Sequence, residues 1–401
     1  MTGPLLLREY ESTDVELTAA DARALAAAAG NALAVTVGPT PGTWRVTAGG
    51  YIGTVVTPGV QVLLRPKVPL HNVFLLLDAG IPTDAWSAES FGFGADPDLL
   101  PAIAAFFARA ATQALARGPR HDYVRRDERL VGLRGRIDLP AQLRTPGMAS
   151  PIACSYDDFS ADILDNRALR AAARQLLRLP GVTPATRRDL TRLVLTLDEV
   201  ADDPVTVEAI ERIPVTRLNR HYQPSLRLAE IVLRNASLQD RAGAAPAGSF
   251  LLSTPLLFQR WITGRLRRAL VGRLEVDAEP TVRLDVKGRI RMDPDLVFRQ
   301  GTSTVYVGDI KYKLSSGAGR SSDYYQLLAY TTALRLDEGV LIYCQTDDAP
   351  PDQEAVVKAT NARLVTYLLP MTGTNADVEV GVSRLGEWLA ARAASGHTAL
   401  A

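Results

Sequence analysis

The sequence predicts a multidomain α/β protein with a β-rich N-terminal module, a mainly helical middle region and a C-terminal α/β sandwich. A chain of 401 residues is too long for one ordinary core and favours two or three domains. Short apolar runs broken by Gly-Pro, Pro-Gly and Gly-Gly turns fill residues 1–68, whereas residues 69–245 carry helical periodicity. Beyond the linker at 242–249, strand and helix patterns alternate over 246–401.

The elements follow in order. Residues 5–10 open as a strand, and Thr18 caps an alanine-rich helix running to about residue 29. Strands are expected at 32–37, 44–48, 52–56 and 60–64. In the middle region, 71–77, 99–116, 165–179, 186–197, 207–212 and 225–235 read as helices, with a strand-like break at 131–139. Past the linker, Thr254-Pro255 starts a helix whose apolar stripe is Phe258, Ile262, Leu266 and Leu270. Strands are then expected at 275–278, 281–286, 289–298 and 304–312, a helix at 322–336 and a strand at 339–344. A helix at 351–359, a strand at 363–369 and a helix at 381–394 complete the reading.

Composition removes several function classes. No run of about 18 apolar residues exists to span a membrane as a helix. The start lacks a basic segment followed by an apolar one, so a cytoplasmic location is expected. Cys154 and Cys344 have no metal-ligand spacing and read as buried free thiols. A net charge of +1 means that phosphate binding must come from local patches such as the seven arginines between 117 and 136. His71, His121, His221 and His397 are scattered and receive no catalytic role.

Chemistry concentrates in one constellation. Only five lysines serve the chain against forty arginines, and two of the five lie in Asp309-Ile310-Lys311-Tyr312-Lys313-Leu314. Asp295, preceded by Pro294, sits fourteen residues upstream of Asp309 on the expected partner strand. Phosphodiester cleavage needs a divalent cation, and magnesium favours carboxylate oxygens while keeping several waters. Asp295 and Asp309 would supply two ligands and the Ile310 carbonyl a third, with manganese as a substitute metal. Strand alternation puts Asp309, Lys311 and Lys313 on one face, so the Lys311 amine would reach the attacking water and the charge of the transition state. An ammonium is compact and shifts its pKa readily; a guanidinium does not. Gln326 and Tyr330, at i and i+4 on the next helix, would bond the substrate backbone or the metal's waters. Asp293 competes with Asp295 for the ligand role; the Pro-Asp pairing favours Asp295. Lys313, Arg320 and Gln259 are candidate DNA contacts.

At these residues the chain resembles the PD-(D/E)xK nuclease superfamily, in the branch with an added Gln-x-x-x-Tyr motif. Four further segments resemble the McrC family, the nuclease subunit of McrBC-type modification-dependent restriction systems. They are Leu63-Leu64-Arg65-Pro66-Lys67-Val68-Pro69, Leu133-Arg134-Gly135-Arg136-Ile137-Asp138, Asp157 to Asn166, and Leu218-Asn219-Arg220-His221-Tyr222. The resemblance implies a C-terminal domain that cuts double-stranded DNA with magnesium. It also implies an N-terminal part that docks on an AAA+ GTPase ring and stimulates its hydrolysis, the ring reading the modified base (5-methylcytosine). The chain has no Gly-x-x-x-x-Gly-Lys-Ser/Thr loop, so a nucleotide motor would come from another chain. Family members usually carry glutamate where Gln259 stands in Leu257-Phe258-Gln259-Arg260. Two alternatives remain open: an adaptor that activates the ring without cutting, and a stand-alone exonuclease of the Gln-x-x-x-Tyr type.

Overall fold

The structure, a computed structural model, describes residues 4–68, 70–77, 99–144, 150–179, 181–242, 249–312, 321–345 and 354–396. It is a mixed α/β protein in two compact units. One comprises Met1–Asp78, Pro82–Ser90 and Leu251–Ala401, the other Ala79–Ile81 and Phe91–Phe250. The N-terminal and C-terminal stretches, which the sequence reading separates at 68 and 246, thus share one unit.

The N-terminal part of that unit holds β1 (Leu5–Arg8), β2 (Ser12–Glu16), α1 (Ala19–Ala29), β3 (Leu33–Val37), β4 (Thr43–Ala48), β5 (Tyr51–Val56), β6 (Gln61–Arg65) and α2 (Leu70–Leu76). Strands β2, β4 and β3 form one antiparallel sheet; β1 runs parallel to β6, which pairs antiparallel with β5. Thr18 caps α1 by accepting the Asp21 amide at 3.1 Å. Ala22, Leu25, Ala28 and Ala29 form the buried face of this helix, and Leu25 packs with Leu7, Val46, Val55, Val62 and Leu64 in one core.

Buried polar contacts tie this part to the C-terminal part. Glu9 is fully buried, and its Oε2 accepts both the Lys67 amide at 3.0 Å and the Tyr312 hydroxyl at 3.1 Å. The Tyr10 hydroxyl donates to the Tyr312 carbonyl at 3.2 Å, and the Thr254 amide to the Gly50 carbonyl at 3.1 Å. Burial pushes the Glu9 carboxyl above its ordinary range.

The second unit contains α3 (Leu99–Ala114), β7 (Asp122–Leu130), β8 (Arg136–Ile137), α4 (Leu139–Leu143), β9 (Ile152–Ser160), α5 (Leu164–Arg178), α6 (Pro184–Thr196), α7 (Val207–Glu211) and α8 (Gln223–Ala242). The long helices pack through apolar stripes such as Ala168, Leu169, Ala172, Ala173 and Leu176 of α5. The region is less helical than its sequence suggests, because β7, β9 and β8 form an antiparallel sheet. Its strands escape pattern reading because the aromatic pair opposed on one face lies in water: Tyr123 is 71% exposed and Phe159 61%. With burial confined to Ala153 and Cys154, no sustained apolar alternation is written into the sequence.

The segments carrying the family resemblance have structural work here. Asn166 Nδ2 donates to the carbonyls of Arg120 (2.8 Å) and Ala161 (2.7 Å), and Asn219 Nδ2 to Asp165 Oδ1 (3.2 Å). The Tyr222 hydroxyl accepts the Arg120 amide at 2.8 Å. Gly135 takes φ +68°, and a Cβ there would lie 2.4 Å from the Ser155 carbonyl oxygen, so only glycine fits.

The C-terminal part comprises β10 (Phe250–Ser253), α9 (Thr254–Ala269), β11 (Glu275–Ala278), β12 (Val282–Arg283), β13 (Arg291–Met292), β14 (Leu296–Gln300), β15 (Ser303–Lys311), α10 (Ser321–Leu334), β16 (Glu338–Gln345), β17 (Glu354–Val356), β18 (Arg363–Pro370) and α11 (Asn375–Gly396). Strand β10 joins the N-terminal sheet beside β5. A six-stranded sheet in the order β11-β14-β15-β16-β18-β17 forms the centre, with β15, β16 and β18 parallel.

Alternation along β15 sorts the layers. Val307 packs with Leu327 and Tyr330 of α10. Tyr306, one residue before it, and Tyr312, just past the strand, meet Trp388 of α11 and Phe258 of α9 on the other face. Two expectations are corrected. Residues 354–356 form strand β17 against β18 rather than part of a helix; residues 351–353 lie outside the described residues. The strands expected at 281–286 and 289–298 are broken into the two-residue pair β12–β13 and a separate β14, because Pro294 has no amide for a continuous ladder. Cys154 and Cys344 are buried free thiols. Among the described residues no helix is long and apolar enough to cross a membrane.

Candidate active site

Strand register explains why two aspartates meet. Leu296 of β14 pairs with Gly308 of β15, so Asp295 and Asp309 are the next opposed positions and point to one face. Asp295 accepts the Ile310 amide on Oδ2 at 2.7 Å and the Gln259 side-chain amide on Oδ1 at 2.9 Å. Asp309 is 1% exposed. Its Oδ2 lies 2.5 Å from Lys311 Nζ but makes no well-directed hydrogen bond.

Burial, and then the charge of Asp309, push the Asp295 carboxyl up to about 7. Asp309 is also raised, by burial first, while Lys311 pulls it down. Two carboxylates held this close out of water favour a shared cation or proton. The donor set is hard oxygen, which suits magnesium or manganese rather than a soft metal. Among the described residues no group of three His, Cys, Asp or Glu side chains converges as a metal centre. A cation here would therefore complete its shell with water, as magnesium does.

Lys311 is positioned by a chain of hydrogen bonds. Its Nζ donates to Gln326 Oε1 at 2.9 Å, Gln326 Nε2 donates to the Tyr330 hydroxyl at 2.6 Å, and that hydroxyl reaches the Asp293 carbonyl at 3.5 Å. The i, i+4 spacing on α10 makes this possible. Gln326 and Tyr330 thus form a hydrogen-bonded chain to the lysine. Burial, and next the charge of Asp309, push the Tyr330 phenol up to about 12.

The remaining candidates separate. Asp293 is exposed and engages Arg291 at 3.0 Å and the Thr281 hydroxyl at 3.0 Å, which leaves the paired position to Asp295. Gln259 spends its amide on carboxylates, donating to Glu279 Oε1 at 3.0 Å as well as to Asp295. Lys313 and Arg320 lie outside the described residues. Two acidic neighbours were missed from sequence. Glu279 reaches the site through a left-handed backbone, φ +53°, with its amide on the Asp295 carbonyl at 3.2 Å. Asp323, buried on α10, accepts the Tyr343 hydroxyl at 2.7 Å and adds its charge to the field at Asp309. Its place three residues before Gln326 was the only available signal.

A family model described as McrBC 5-methylcytosine restriction system component matches residues 46–344. No curated protein matches the sequence. Among solved structures, the chain is similar to one from Thermococcus gammatolerans described as a half-complex from a tetradecameric assembly of McrB AAA+ hexamers with bound McrC. That match has 21% identity and a TM-score of 0.60, covering 96% of this chain and 100% of that chain. A cryo-EM structure of the Thermococcus gammatolerans McrBC complex matches at 22% identity over 67% of this chain and 88% of that chain, with a TM-score of 0.44. The first of these likenesses shows a shared fold.

Proposed function

The chain belongs to the family of McrBC 5-methylcytosine restriction system components, and from that premise we propose that it is the DNA-cutting subunit of such a system. In this reading its C-terminal α/β region has the PD-(D/E)xK nuclease architecture. The chain works with an AAA+ ring of the kind named in the similar structure, McrB hexamers with bound McrC. The ring would hydrolyse GTP and read the modified base; this chain would dock on it, stimulate it and cut.

The observation that carries the proposal is the convergence of Asp295, Asp309 and Lys311 on one face at the end of β15. Asp295 and Asp309 would hold a magnesium ion, with the Ile310 carbonyl as a backbone ligand. When bound, that ion polarises the phosphoryl oxygen and makes hydroxide available near neutral pH. Lys311 orients the attacking water and offsets charge that builds on the phosphate. Gln326 and Tyr330 keep the ammonium aimed, since a flexible four-carbon side chain otherwise loses its geometry. Asp295 must give up its proton before it can serve as a ligand.

Gln259 favours a second reading, an adaptor that binds DNA and activates the ring without cutting. Its amide brings no charge to Asp295 and Glu279. Reconstitution with the partner ring, GTP and magnesium on methylated and unmodified DNA separates the two. The nuclease reading expects cuts in methylated DNA that require every component. Stimulated GTP hydrolysis with no nick under magnesium or manganese establishes the adaptor instead.

A further inference from the structure

The two-strand insertion between Glu279 and Asp295 has no role in the site chemistry, yet its surface is distinctive. Val286 at its turn is fully exposed (108%), and Leu284 and Ile290 are 39% and 52% exposed. Arg283, Lys287, Arg289 and Arg291 flank this apolar knuckle along the chain and outnumber the acidic Asp285 and Asp293, which pair with Arg289 at 3.4 Å and Arg291 at 3.0 Å.

The turn is built to hold that shape. Asp285 accepts the Gly288 amide on its carbonyl at 2.9 Å and the Ile290 amide on its carboxylate at 2.7 Å. The Ile290 amide holds the Asp285 carboxyl below its ordinary range. Gly288 takes φ +66°, and the Leu284 amide closes on the Ile290 carbonyl at 3.0 Å. A side chain as apolar as valine is thus presented to water by a braced turn, so the conformational cost of presenting it is already met on folding.

Both legs of the hairpin grow from the backbone that holds Asp295. On one side the Glu279 amide bonds the Asp295 carbonyl; on the other β13 runs directly into Asp293-Pro294-Asp295. Strand rise along the chain from Val286 to Asp295 keeps the tip within about 30 Å of Asp295, a distance shorter than one turn of duplex, about 34 Å.

We propose that residues 281–293 form a wedge that grips double-stranded DNA beside the cut site. The cationic legs meet phosphates, and the Val286 knuckle lodges in a groove against sugars and base edges. Cations around an apolar tip suit a sequence-tolerant contact with duplex, in which phosphate attraction supplies affinity and the wedge supplies fit. The inference rests on the reading that this unit cuts DNA, because the hairpin's position beside Asp295 is what selects DNA as its occupant.

The test measures binding of the full-length chain to a short duplex in EDTA, across a salt series. Replacing Lys287 and Arg289 together by glutamine is expected to weaken binding about 10-fold and lower the salt slope by about 2. Val286→Ser is expected to weaken it a few-fold while leaving the slope unchanged. All these positions lie at or near the exposed turn, and equal melting temperatures check the fold. Wild-type affinity and slope in both variants overturn the proposal. So does a pattern in which DNA binding is intact but stimulation of the partner's GTP hydrolysis is lost, which makes the hairpin a protein contact. The nuclease reading fails separately: a wild-type chain that never cuts, yet binds duplex through this hairpin, removes that reading and leaves the wedge standing.

Discussion

Asp295→Asn should stabilise the metal-free chain while destroying its use of metal. The Asp295 carboxyl is raised from 3.8 to about 7 by burial and by Asp309. At about 1.36 kcal/mol per pH unit, holding it ionised in the folded state costs ~4 kcal/mol at about pH 8. The sign is fixed by proton uptake. Below 3.8 folded and unfolded chains both hold the proton. Above it the unfolded chain releases the proton and the folded chain keeps it, so stability falls as pH rises until the folded group also titrates. At about pH 5 the folded carboxyl still holds its proton, and the penalty relative to the unfolded chain is only ~2 kcal/mol.

Asparagine is neutral throughout and can still accept the Ile310 amide, but it turns its own amide NH2 donor toward the NH2 of Gln259, which loses about 1 kcal/mol. The net gain is therefore ~3 kcal/mol at about pH 8 and ~1 kcal/mol at about pH 5. Chemical denaturation in EDTA at the two pH values measures both numbers. Adding magnesium should then stabilise the wild type and leave the variant unmoved. The reasoning is refuted if the variant is no more stable than wild type at about pH 8, or if its advantage fails to shrink on acidification.

Three further outcomes are expected. Gln259→Glu replaces a donor shared by Asp295 and Glu279 with a like charge; the metal-free chain should lose about 1–2 kcal/mol, while calorimetry with magnesium shows tighter binding, and unchanged values on both counts would contradict the geometry. Tyr330→Phe frees Gln326 and loosens Lys311, so kcat should fall about 10-fold with KM unchanged; a change in KM alone would place the phenol on the substrate. Gly135→Ala forces a Cβ against the Ser155 carbonyl at a positive φ, and the second unit should lose more than about 2 kcal/mol by thermal melting; near-neutral behaviour would show that the β7–β8 connection has room to shift.

What could be read from the sequence follows from where burial wrote a pattern. Strands β3–β6 and β14–β16 alternate or run apolar because at least one face packs on a core, and Thr18 announced its helix by chemistry alone. The β7–β9 sheet carries Tyr123 and Phe159 in water, so nothing in its composition distinguishes strand from solvated loop. Residues 354–356 are too short and too exposed to show a period at all. The union of the two chain ends depends on Glu9 meeting Tyr312, 303 residues away, a contact with no local trace. At the site, Asp295, Asp309, Lys311, Gln326 and Tyr330 were singled out by order and spacing, and the fold brings them together. Their bonds were not legible. That Gln326 and Tyr330 serve the lysine depends on where α10 sits, and Glu279 arrives only through a left-handed turn.

Lys311→Ala puts the central claim to the most direct test. Cleavage of methylated duplex is measured with the partner ring, GTP and magnesium, alongside GTP hydrolysis in the same reaction. The account predicts that the variant stimulates GTP hydrolysis as the wild type does but cuts at least about 1000-fold more slowly, the loss expected when an electrostatic group at the reacting centre is removed. Cutting at the wild-type rate would mean that the end of β15 is not where the phosphodiester is broken.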